Sequence, residues 1–210
     1  RFERSDVHTL PPSASFTPVP SPSGMFVYQG SDPRLTWLDM MRLLSLLFPL
    51  YLVGKISAPP ASLPERPTYL IDWLSLPVAR RLSPIVLPVS QFADVQALLE
   101  SHWKQDKLVC VFSRLELPQL LARLRLATRG QSYPTETPVP EHLLGEWRPS
   151  HLAQTLTSST PTFAGAVMSG VDALFVEPQQ SGQWEILGDE FFADVLELLG
   201  LSDRTGSLSG

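Results

Sequence analysis

The chain has 210 residues, is 43% hydrophobic and carries a formal net charge of −5 at pH 7, which allows one domain with a buried core and argues against the basic face that nucleic acid demands. Basic residues gather between Val78 and Arg129 and acidic ones between Gly170 and Arg204, so these segments either attract each other or present separate faces. The single cysteine, Cys110, excludes an internal disulfide and reads as a small buried hydrophobe in a reducing, cytoplasmic setting.

Residues 1–24 combine Pro11, Pro12, Pro18, Pro20 and Pro22 with Ser and Thr and read as a flexible or extended arm. They hold no signal-peptide pattern, and a first residue other than Met is expected of a processed or trimmed chain. Met25–Tyr28 is a first predicted strand. Asp32 and Pro33 mark a helix start, with a carboxylate for the orphan amides and a ring that wastes no donor, and the helix should run to about Phe48. The apolar run from Leu43 to Val53 is too short for the ~20 residues of a spanning helix and is interrupted by Pro49; it reads as a buried core helix, with a membrane-lying segment as the alternative.

The proline-rich stretch 57–67 reads as a linker and a boundary between two lobes of the domain spanning 25–200, with a short strand at Tyr69–Ile71 after it. Pro84–Leu87 is the next strand. Ser90 caps a helix with Phe92, Val95, Leu98, Leu99 and His102 at helical spacing, and Lys107–Phe112 is strand again. Ser113 to Glu116 has the form of a capping box ahead of the stripe Leu117, Leu120, Leu121 and Leu124. Gln131–Pro140 is a loop and Ser150–Leu156 a short helix. Val171–Val176 and Trp184–Leu187 make a hairpin through residues 178–182. Asp189 caps a last helix bearing Phe191, Phe192, Val195, Leu198 and Leu199, Gly200 ends it, and 201–210 is a frayed tail. Strands alternating with helices give an α/β fold, a mixed sheet with flanking helices and room for two lobes.

No catalytic, cofactor or metal set is expected. His8, His102, His142 and His151 are not spaced to put two ligands on one helical face, and one cysteine does not build a zinc site. Ser169 lacks a nucleophile-elbow pattern, Cys110 lacks a cationic helper, and the glycines form neither a Walker nor a dinucleotide motif. Asp189 with Glu190, and Asp194 with Glu197, read as capping and solubilising groups. Trp103, Trp147 and Trp184 neighbour polar residues and read as exposed interface anchors or as ordinary half-buried tryptophans. Arg123, Arg125 and Arg129 crowd a helix C-terminus, where they complement its dipole or meet a partner.

Glu146-Trp147-Arg148-Pro149-Ser150-His151-Leu152, followed by Phe163–Ala166, resembles the effector adaptors (effector chaperones) of bacterial type VI secretion, in which an aromatic-Asp-Pro-Arg signature, a helix and a Phe-Phe-Gly-Pro turn follow in that order. Pro84-Ile85-Val86 is similar to the family's Pro-Tyr-Leu strand, Arg123-Leu124-Arg125 to its His-Leu-Arg element, and Tyr28–Leu44 to its opening strand and helix. The resemblance covers residues 25–187, with Arg148 at the signature's Asp, Ser150 at its Arg and Ala166 at the turn's Pro. It implies a non-enzymatic adaptor that binds a toxic effector as client, helps load it onto a spike protein and needs no cofactor. Arg123, Arg125, Trp147, Arg148 and Pro149 are its expected protein-binding residues. The alternative is a structural or docking subunit of a larger assembly, using the proline-rich arm and the acidic last helix. On the adaptor reading, alanine at Trp147 with charge reversal at Arg125 should weaken client capture and leave thermal unfolding nearly unchanged.

Overall fold

A computed structural model describes residues 17–30, 37–56, 68–102, 105–128, 147–176 and 184–202. Its frame is one eight-stranded sheet, made of β1 (Val19–Pro20), β2 (Phe26–Gly30), β3 (Leu50–Gly54), β4 (Thr68–Tyr69), β5 (Ile85–Val89), β6 (Leu108–Phe112), β7 (Ala173–Val176) and β8 (Trp184–Gly188). The spatial order is β1-β2-β8-β7-β6-β3-β5-β4, and every neighbouring pair is antiparallel. The α/β class expected from the alternating pattern is present. The sheet itself is antiparallel rather than mixed, because β5 and β6 run the same way but β3 lies between them, antiparallel to both. The crossover joining β5 to β6 skips one strand position, and β3 fills it.

Seven helices cover the two faces among the described residues: α1 (Trp37–Leu47), α2 (Leu76–Leu82), α3 (Phe92–His102), α4 (Leu117–Thr128), α5 (Pro149–Ser158), α6 (Pro161–Val167) and α7 (Glu190–Leu198). The period-two alternation of the strands sorts apolar side chains into two cores. Val109 and Val111 of β6 join Tyr51, Val53 and Leu174 under α4, α5 and α6. Leu108, Cys110 and Phe112 join Leu52, Leu87 and Phe175 under α1, α3 and α7. Both faces of β6 are covered, so its five residues are all buried; such strands read as continuous apolar runs.

Several expectations need correction. Leu43–Val53 is not one helix: α1 stops at Leu47, and after Pro49 the chain enters β3, all five residues of which are buried at the sheet's centre. Proline removes the amide that would continue the helical ladder, while the apolar residues beyond it suit a two-sided strand. Among the described residues no helix is long and apolar enough to cross a membrane. Within the expected flexible or extended arm, Val19 and Pro20 pair with Val27 and Phe26, which ties its last part to the sheet, and residues 1–16 lie outside the described residues. Residues 57–67 lie outside the described residues, and β3 before them pairs with β5 after them in one sheet. The predicted starts at Asp32 and Pro33, the loops at 131–140 and 178–182, Arg129, Trp103 and the tail from 203 also lie outside them.

Ser113 does not cap α4. Its hydroxyl accepts from the Leu115 amide at 3.1 Å and donates to the Gly170 carbonyl, while Leu120 N–H reaches back to the Glu116 carbonyl at 2.9 Å, which starts the helix three residues later. The last helix follows its sequence signals. Asp189 accepts from Phe192 N–H at 2.8 Å, and Gly200, at φ +70, lets Leu201 N–H close on the Leu196 carbonyl at 2.9 Å, a left-handed stop that favours glycine.

Candidate functional site

The five expected protein-binding residues do not form one patch. Arg123 and Arg125, two apart on α4, point to different neighbours, because successive helical positions turn by about 100°. Arg123 Nη1 donates to Ser169 Oγ at 3.3 Å, after α6. Arg125 reaches toward the β4 end, donating from Nη2 to the Tyr69 carbonyl at 3.0 Å and from Nε to the Leu70 carbonyl at 3.2 Å, with Nη1 3.5 Å from Asp72. Both guanidinium groups stitch elements of the fold.

Trp147 is a second correction. It is 1% exposed and packs in the core beneath α4 and α5, so the exposed-anchor reading fails and alanine there would empty a core site. Its backbone sits at φ +45, and its indole Nε1 has no hydrogen-bond partner among the described residues. Pro149 is buried at the first position of α5, where its missing amide is not needed. Arg148 is exposed at the N-cap and makes no side-chain cap bond. The capping carboxylate comes instead from Asp106, which accepts from Ser150 N–H at 2.9 Å and from the Ser150 hydroxyl at 2.6 Å. Asp106 itself is at φ +54 in the turn before β6. Two strained non-glycine residues therefore flank the start of α5, and such strain clusters at working surfaces.

A cavity of about 290 Å³ opens beside this corner, lined by Lys55, Gln105, Asp106, Lys107 and Arg148. Gly54 shapes it: a Cβ there would lie 2.0 Å from the Lys107 carbonyl oxygen, so only glycine lets the end of β3 pass so close to the start of β6.

A second hollow, about 260 Å³, lies at the outer edge of the sheet beside β4 and α2. Tyr69, Ile71, Leu74, Leu76 and Ala79 line it with the Arg125–Asp72 pair. Leu76, Leu82 and Trp73 around it are about half exposed, and Arg80 and Arg81 stand exposed on α2. This hollow was not legible because α2 was not: Leu-Pro-Val-Ala-Arg-Arg-Leu is too short to set a helical period. Its start signals, Ser75 ahead of Pro77, were the clue.

At the far end of β6 lies a polar knot. Asp172, buried, accepts from Arg114 N–H at 2.8 Å and from its Nε and Nη2 at 3.1 Å. The guanidinium lies 3.6 Å over the Phe191 ring, a cation–π contact that fixes α7. Burial raises the Asp189 pKa and the Asp172 charge raises it further, while the Phe192 amide and Arg114 pull it down. Each carboxylate here is occupied by a fold contact, which makes the knot a clasp between β6, β7 and α7. Burial also pushes the Cys110 thiol far up, so the nucleophilic thiolate is disfavoured. Among the described residues no three His, Cys, Asp or Glu side chains gather to hold a metal.

Comparison of the chain with protein-family models, curated proteins and solved structures gives no match.

Proposed function

We propose that this protein is a non-enzymatic adaptor that holds a protein client at the β4–α2 corner. The observation that carries the reading is the apolar hollow lined by Ile71, Leu74, Leu76 and Ala79 and rimmed by the Arg125–Asp72 pair. A concave apolar floor with a charged rim accepts one large side chain of a partner and lets the rim exclude water, the arrangement of a releasable protein contact. The exposed Trp73, Leu76 and Leu82 widen that contact along α2. The resemblance to type VI secretion adaptors supplies the client class, a secreted toxic effector, and the destination, a spike protein.

Two observations test the reading. The genes beside its own should encode a toxin and a spike protein. Co-expressed with that toxin, the wild-type chain should elute as a complex, and Leu76→Asp, an exposed position, should abolish the complex without lowering the melting temperature. Neighbours of another kind, or a complex indifferent to Leu76→Asp, would overturn it.

A further inference from the structure

The ladder between β3 and β6 ends at Gly54 opposite Leu108. Lys55 and Lys107, the residues just beyond that last pair, line one cavity. Like charges gathered in one cavity repel, and neither ammonium has an ion pair or side-chain hydrogen bond among the described residues. Arg148 lines the same cavity, and Asp106, the one carboxylate among its described lining residues, has both oxygens engaged by Ser150. A concentrated positive site on a chain of net charge −5 steers an anion to one place. The cavity's lining residues are all polar or charged. Their aliphatic stems form the apolar part of the wall and their ends bring the charge, which suits a chain segment bearing carboxylates.

The position of this cavity narrows the anion. Ile85 of β5 pairs with Gly54 on one side and with Tyr69 of β4 on the other, so the lysine pair and the apolar hollow lie in one row at the same end of the sheet. At about 4.8 Å per strand the lysines stand roughly 10–14 Å from β4, a span that three or four extended residues cover. We infer that the Lys55–Lys107–Arg148 cavity takes the carboxylates of an acidic stretch in the protein client, three or four residues from the apolar side chain that enters the hollow. The inference rests on the adaptor reading for the identity of the partner. The pocket's preference for an acidic polypeptide is measurable without the client.

The test is fluorescence anisotropy with the full chain and two fluorescein-labelled decapeptides, one of Asp and Glu with Gly spacers and one identical but for a Leu four residues before the acidic run. The acidic peptide should bind saturably. Lys55→Glu/Lys107→Glu should weaken it about tenfold or more, Lys55→Gln/Lys107→Gln should weaken it in the same direction if the double reversal does not fold, and Arg80→Glu/Arg81→Glu should leave it alone. The Leu peptide should bind more tightly than the acidic one, with the gain lost in Leu76→Asp. Absence of saturable binding, indifference to both lysine variants, or displacement by inorganic phosphate at matched ionic strength would overturn the inference. Lysine dependence without a Leu gain would uphold the cation site and count against the apolar corner as its partner. A Leu gain without lysine dependence would do the reverse.

Discussion

The two ends of β6 treat charge in opposite ways. Beyond Phe112, Arg114 and Asp172 meet at 2.8–3.1 Å, the guanidinium stacks on Phe191, and the knot joins β6, β7 and α7. Before Leu108, Lys107 and Lys55 line one cavity with no carboxylate paired to either among the described residues, and Asp106 turns to cap α5 instead. Charge at the first end is consumed by the fold. Charge at the second is not consumed by an ion pair among the described residues, and the proposed acidic segment of the client would meet it there.

The comparison can be broken most sharply at Gly54. Alanine there collides with a backbone oxygen rather than a mobile side chain, so the β3–β6 ladder must shift; a loss on the order of 4 kcal/mol or more in chemical denaturation is expected. Trp147→Ala comes next, with about 3–5 kcal/mol lost as an aromatic core site empties, read as a lower denaturation midpoint. That outcome replaces the expectation that truncation at Trp147 leaves unfolding unchanged. At the compensated end, Asp172→Ala strands the Arg114 amide and guanidinium and should cost about 3 kcal/mol, whereas a neutral result would mean the knot is ornamental.

Asp189 sharpens the comparison through pH. Burial, followed by repulsion from Asp172, raises its folded pKa above the unfolded value. A group that holds its proton more tightly when folded stabilises the fold fully below its unfolded pKa and loses that contribution as pH rises through the raised value. Asp189→Asn keeps an acceptor for the Phe192 amide and should flatten that part of the stability curve, between the ordinary carboxylate range and neutrality. Glu185, also raised by burial, keeps a smaller slope of the same sign in the variant. A curve unchanged by the substitution would show that Asp189 does not titrate there.

Elements whose burial pattern is local were legible in the sequence. The stripe of α4, the continuous apolar run of β6 and the Asp189 and Gly200 signals of α7 each depend on residues a few positions apart. Phe163–Ala166, a turn on the resemblance, lies inside helix α6, and Pro161 at its start is the local signal for it. The strand β3 was hidden by fusion with α1, since an apolar run buried on both faces has no period to tell strand from helix. The candidate sites were less legible for a further reason. Trp147 is flanked by polar residues yet turns inward at a positive φ, and Lys55 and Lys107 reach one cavity only because strands more than fifty positions apart pair beside them.

The central claim is that the lysine pair serves a partner and not the fold. Thermal unfolding of Lys55→Glu in low salt tests it most directly. The reversal places a carboxylate in the cavity that Lys107 lines, and the account expects stability to rise by about 0.5–1 kcal/mol, with the gain fading near 1 M salt, where the screening length is about 3 Å. A variant less stable than wild type at low salt would mean that Lys55 already supports the fold, and would contradict the claim.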